Sequence, residues 1–248
     1  MKHILRLLAL CLALVICLPY AAAERLDDDV LLSFYSNSTF FGDSRMQAFA
    51  RYRREKRQEQ ADFLADTKVV CVDSIGLYMG SRNFVDPNCC FSYRGMDGTI
   101  YNIAKQIEPA KIFVMLGVND HVAAMPDKAL HWAEQIITGL KQQLPDVEIY
   151  FFSETPVGDR FEPSNNLPDY RHQLDEYNIG LREICESNGA GYIEIAEALK
   201  GEDGLLKKEY ASDRICHMNV DGVECWIECM KDFAQEQYDL GRWNPFAE

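Results

Sequence analysis

Five short runs rich in β-branched and aromatic residues punctuate the chain: STFFG (38–42), KVVCVD (68–73), KIFVML (111–116), EIYFFS (148–153) and YIEIA (192–196). They are nearly continuous in apolar character rather than alternating, the pattern of strands buried on both faces. Between them the period lengthens. PDKALHWAEQIITGLKQQL opens with Pro126 near its first turn and sets Leu130, Ala133, Ile137, Leu140 and Leu144 on one helical face. DYRHQLDEYNIGLREICESNG aligns Leu174, Tyr177, Leu181 and Ile184 and stops at Asn188-Gly189. A last helix, from about Asn219, aligns Val223, Trp226, Ile227, Met230 and Phe233.

Strands alternating with helices predict an α/β fold. It is a three-layer α/β/α sandwich around a five-stranded parallel sheet of flavodoxin-like order, with the site beyond the carboxyl ends of the strands. RYRREKRQEQ (51–60) reads as the solvated end of the first helix. The irregular segment 74–97 reads as a loop over the site.

The amino-terminal stretch changes the picture of where the chain works. Lys2 and Arg6 precede an apolar middle and the small residues Ala21 to Ala23. This is the pattern of a secretory signal peptide (1–23) cleaved after Ala23, leaving one domain over 24–248 in a secreted or cell-envelope protein. No later run is apolar for the ~20 residues a membrane span needs. The formal net charge of −14 argues against nucleic acid and anionic membrane as partners. Two of the nine cysteines, Cys11 and Cys17, fall in the leader. The odd number left in an exported chain implies at least one free or intermolecular thiol. Cys216, His217, Cys225 and Cys229 match no strong zinc spacing, so no metal and no cofactor are assigned.

The stretch STFFGDSR poses the chemical question. Ser44 stands three residues before Gln47, the spacing of a capping box. It also stands at an abrupt strand end, where a nucleophile can be held. Asn119 alone is a turn residue, Gly76 a loop glycine, Asp213 the start of a turn and His217 a structural histidine. Placed on the predicted sheet, however, all five gather at one carboxyl edge. There they supply a nucleophile, oxyanion donors, a base and its orienting acid.

On these residues the chain resembles the SGNH hydrolases, also called the GDSL esterase/lipase family, from Ser38 to the final helix. FFGDSR resembles the first block with Ser44 as nucleophile, and DSIGLYMG the second, with Gly76 (or else Gly80) as its glycine. LGVND resembles the third with Asn119 as oxyanion asparagine, and SDRICHMN the last with Asp213 and His217. The sequence departs from the pattern in placing three residues rather than two between Asp213 and His217, and in having Arg45 where leucine is common. No GxSxG is present, which disfavours the α/β-hydrolase fold.

The resemblance implies an exported serine esterase. It would remove acetyl or other short acyl groups from a glycan or small ester, with Ser44, Gly76 and Asn119 forming the oxyanion hole. An O-acyltransferase with the same triad and a catalytically silent carbohydrate- or lipid-binding module are the alternatives. Asp221, four residues after His217, competes with Asp213 as the orienting acid. Cys216 adjoins His217 while Cys89 and Cys90 lie in the long loop, so a disulfide between these segments is expected at the site.

Overall fold

The computed structural model describes residues 24–64, 66–86 and 89–247. The leader, with Lys2, Arg6, Cys11, Cys17 and the Ala23 cleavage point, lies outside the described residues. A short helix α1 (Asp28–Ser33) leads into β1 (Ser38–Gly42), α2 (Ser44–Glu59), β2 (Lys68–Cys71) and α3 (Leu77–Ser81). A hairpin β3 (Phe91–Tyr93)–β4 (Met96–Gly98), α4 (Ile100–Ile107), β5 (Lys111–Met115) and α5 (Pro126–Gln143) follow. β6 (Glu148–Phe152), α6 (Phe161–Asn165), α7 (Tyr170–Ser187), β7 (Gly191–Ile193), α8 (Ala196–Leu199) and α9 (Val220–Asp239) complete the chain. No helix among the described residues is long and apolar enough to cross a membrane.

The central sheet has the order β2-β1-β5-β6-β7 with every pairing parallel, the flavodoxin-like arrangement that the five apolar runs predict. Both faces are covered, and neighbouring strand residues serve opposite cores. Phe41 points into a core with Ile112, Val114, Phe151 and the helices α4, α5 and α7. Phe40 points into a second core with Phe113, Phe152, Trp226 and Met230, under α1, α2 and α9. In the second core a ladder of stacked rings crosses the sheet: Phe40 on Phe113 at 4.7 Å and Phe113 on Tyr150 at 4.9 Å between centroids. Each such ring, fully buried, contributes about 1.5–3 kcal/mol.

β7 ends three residues before its apolar run does. β7 stops at Ile193 because the Ser153 hydroxyl accepts from the N–H groups of Ile195 (2.8 Å) and Ala196 (2.9 Å), turning the chain into α8. The segment 74–97 is not simply a covering loop. It carries α3 and a hairpin closed by Arg94 and Gly95, both at positive φ (51° and 80°), as a two-residue primed turn requires. Phe91 of that hairpin is buried edge-on against Phe41, so part of the segment belongs to the core.

The register fixes where the site forms. Gly42 at the end of β1 lies between Cys71 of β2 and Met115 of β5. The chain therefore leaves three adjacent strands at one level, carrying Asp43-Ser44, Asp73 and Gly117 to the same edge.

Candidate active site

Asp43 leaves β1 in an extended conformation, and its Oδ1 accepts the Arg45 N–H at 2.9 Å, so Asp43 is the N-cap of α2. The capping-box reading of Ser44 with Gln47 is therefore corrected: Ser44 is the first helical residue and its hydroxyl is not held by the backbone. It reaches instead to His217 Nε2, at 2.9 Å. As the first N–H of a helix, that of Ser44 has no intrahelical acceptor.

His217 Nδ1 is 2.5 Å from Asp213 Oδ2. The three-residue separation is absorbed by a turn wound around the other carboxylate oxygen. Asp213 Oδ1 accepts the N–H groups of Ile215 (2.8 Å), Cys216 (3.0 Å) and His217 (3.2 Å). These are bends rather than a helical turn. Burial pushes the Asp213 carboxyl up, but the hydrogen bonds from the His217 ring and from the Ile215 and His217 amides outweigh it and hold the group below the usual carboxylate range. Asp221 sits in the first turn of α9. Both ring nitrogens of His217 are already engaged by Ser44 and Asp213.

Contacts distant in sequence hold this loop in place. Gly158 N–H donates to Ile215 O (2.6 Å) and Arg160 N–H to Arg214 O (2.9 Å), lashing the loop after β6 to the histidine loop. A Cβ at residue 158 would run into the Arg214 carbonyl, so only glycine permits the approach. The Arg214 guanidinium closes the clamp on Asp159 with bonds of 2.7 and 2.5 Å.

Gly76 is the N-cap of α3, and Asn119 lies in the 3-10 turn Val118–Asp120 after β5. Asn119 Nδ2 donates to Ile75 O at 2.9 Å, which aims the exposed amide beside Gly76 and leaves its second N–H for a ligand. Gly80, the other candidate glycine, lies inside α3, where a Cβ would meet Leu116 at 2.8 Å; it serves helix packing. Asn119→Ala is expected to lower kcat by roughly two to three orders of magnitude with little change in KM, as for a donor used mainly in the transition state. A raised KM at constant kcat would make Asn119 a substrate-binding residue instead.

The residue after Asn119 has a part that sequence reasoning missed. The Asp120 carboxylate accepts the Leu77 N–H and caps α3 from another element, since Gly76 has no side chain to do so. Gly76 must be glycine because a Cβ there would collide with this carboxylate. Burial pushes Asp120 up to about 6, against the pull of the Leu77 and Tyr78 amides. A carboxyl that binds its proton more tightly when folded weakens the fold as pH rises: the penalty is absent below the unfolded value near 4 and complete above about 6. Asp120→Asn should therefore gain stability relative to the native chain between pH 4 and 7.5, read from denaturant midpoints. A pH-independent difference would refute this.

Beneath the serine lies a buried ion cluster. Arg45 and Asp43 are wholly buried and Glu154 almost so. Arg45 Nε and Nη2 donate to the two oxygens of Asp43 at 3.0 and 2.7 Å, and Nη1 donates to Glu154 Oε1 and to Thr155 Oγ1. Burial opposes the Arg45 charge, yet the two carboxylates hold the guanidinium firmly protonated. Burial also raises Glu154, with Arg45 opposing. Replacing arginine by the leucine common at this position would leave two buried acids facing each other. Arg45→Leu is expected to cost about 3–5 kcal/mol, measured by chemical denaturation. Arg45 was legible as a departure from the family pattern. Its partner Glu154, 109 residues away, was not.

The expected bridge from Cys216 to Cys89 or Cys90 does not form: these three cysteines, with Cys71, Cys185, Cys225 and Cys229, are free thiols. Cys216 turns inward under its own loop into the core beside α7, and burial pushes its thiol up to about 12.

Ser44 and His217 open onto a hollow of 430 Å³ rimmed by Gln47, Arg51, Tyr52, Asp73 and Val220. A hydroxyl on a strand-to-helix turn, an imidazole, a half-exposed carboxylate and N–H donors after the two strands that flank β1 are the parts that serine hydrolysis calls for. The chain belongs to the GDSL-like Lipase/Acylhydrolase family, whose pattern matches residues 40–225. Its fold is shared with a GDSL-like lipase of Bacteroides thetaiotaomicron VPI-5482 (12% identity, 87% of this chain and 93% of that one, TM-score 0.59). It is also shared with an acetyl xylan esterase (16%, 79% and 98%, 0.53). A third similar structure is the periplasmic domain of a lipopolysaccharide acetyltransferase of Salmonella ser. Paratyphi A (15%, 80% and 83%, 0.53). No curated protein matches the sequence.

Proposed function

We propose that the protein is an exported serine esterase that hydrolyses short acyl esters, acetyl foremost, carried by a glycan or a small molecule. The unbroken chain of hydrogen bonds from Ser44 through His217 to Asp213 carries this reading. His217 Nε2 takes the Ser44 proton as the oxygen attacks the ester carbon. The charge that develops on the carbonyl oxygen is met by the N–H groups of Ser44 and Gly76 and by the Asn119 amide. His217, held in one tautomer by Asp213, then protonates the leaving alcohol. Water, activated by the same imidazole, releases the acyl group from Ser44.

Labelling with a fluorophosphonate, followed by peptide mapping, tests the reading. The label is expected on Ser44 alone, together with acyl release from a chromogenic acetyl ester. A folded chain that takes no label is a silent binding module. Appearance of the acyl group on an added sugar, rather than as free acid, makes the enzyme an O-acyltransferase. That outcome suits the fold shared with an acetyltransferase domain.

A further inference from the structure

A second groove, of 660 Å³, begins where α3 leaves the oxyanion corner. Tyr78 stands two residues past Gly76 and forms one wall with Arg82 and Phe84; Trp132 and Gln135 of α5 form the other. The floor is Tyr101 of α4, whose hydroxyl donates to Ser81 O at 3.0 Å and so ties floor to wall. Gly139, near the C-terminal end of α5, makes room for it: a Cβ there would lie 2.6 Å from the Tyr101 ring. A helix-interior glycine costs about 0.5–1 kcal/mol against alanine, and the seat for Tyr101 is what that cost accommodates.

Three features of the lining stand out. The Tyr78 and Trp132 rings pair with centroids 5.1 Å apart, and the Arg82 guanidinium lies 3.7 Å from the Phe84 ring centre and 5.0 Å from that of Tyr78. Tyr78 and Phe84 nevertheless remain 44% and 50% exposed and belong to neither core. Asn83, Gln135 and Gln142 add amide side chains to the lining. In a chain with 39 acidic residues the lining holds no carboxylate, whereas the hollow at Ser44 has Glu55 and Asp73 and the groove along β7 has Glu148, Glu186 and Glu194.

We infer that this groove is a saccharide-binding subsite that holds the sugar units flanking the acylated one. Exposed flat rings match the apolar C–H face of a pyranose, and neutral amides donate to and accept from its hydroxyls without the desolvation cost of a buried charge. A lining free of carboxylates admits neutral sugars and, through Arg82, sugars with an anionic substituent. The inference rests on the esterase reading for its link to Ser44, but the binding itself does not.

The test is a titration of the Ser44→Ala chain with xylo-, chito- and galacturono-oligosaccharides of increasing length, followed by Trp132 fluorescence and calorimetry. One class is expected to bind, with affinity rising with length. Tyr78→Ala in the same background should weaken binding about tenfold. Gln135→Ala should weaken it severalfold. Both side chains lie at the surface, and thermal melts check that the fold is kept. Absence of binding by every class, or equal binding by the Tyr78→Ala chain, overturns the inference. Fluorophosphonate labelling of the native chain separates the two readings. Label without glycan binding removes the subsite alone, and glycan binding without label removes the esterase alone.

Discussion

Ser44→Ala is expected to abolish acyl release, by on the order of 10⁶-fold in kcat, the loss typical when the nucleophile of a hydrolytic triad is deleted. The fold should survive unchanged. Because Asp43, not Ser44, caps α2, the substitution removes no cap, and alanine is the best helix former for the first turn. The denaturation midpoint should stay within a few tenths of a kcal/mol of native, less than the ~1 kcal/mol that a lost serine cap costs. Fluorophosphonate labelling should vanish with the activity. Undiminished turnover by a folded Ser44→Ala chain would remove serine from the mechanism altogether.

The second large effect separates two acids. Asp213→Asn should lower kcat by up to roughly four orders of magnitude. The reason is directional: an amide at position 213 offers an N–H, instead of an acceptor, to His217 Nδ1, which favours the tautomer that cannot take the Ser44 proton. The loss should exceed what geometry alone would cause, because an asparagine oxygen can still accept the backbone N–H groups of Ile215, Cys216 and His217. Asp221→Asn should leave kcat near native, since Asp221 meets the first turn of α9 and the ring nitrogens are already engaged. The opposite pattern would transfer the role to Asp221. Normal rates for both variants would mean that a serine–histidine pair suffices.

The strands and the long helices were legible because burial writes itself locally. A strand covered on both faces must be apolar at successive positions, as Phe40 and Phe41 are, and a helix on a sheet must repeat near 3.6. The short elements were not. α3 has five residues, no side-chain cap of its own, and depends on Asp120 from across the edge; the hairpin at Arg94-Gly95 carries too few residues for a period to emerge. The candidate site was legible in its members, since Ser44, Gly76, Asn119, Asp213 and His217 all stand beside strand ends or motif blocks. Its supports were not: Glu154 and Asp120 are single acids in an acid-rich chain, distinguished only by what they face.

By itself the sequence determined the layer order and the side chains available beside the strand ends, because hydrophobic period is a property of neighbouring residues and strands alternating with helices can be wound into a parallel sheet in few ways. Tertiary structure alone decided three other things. It made Asp43 the cap and so freed the Ser44 hydroxyl. It wound the Asp213 turn so that an extra residue still brings Oδ2 to the imidazole, with Gly158 and Arg160 lashing that loop from β6. It turned Cys216 inward, where it stays a free thiol. Each depends on the direction of a side chain relative to a segment tens of residues away, and directions of that kind are settled only when the close-packed core fixes the backbone that carries them.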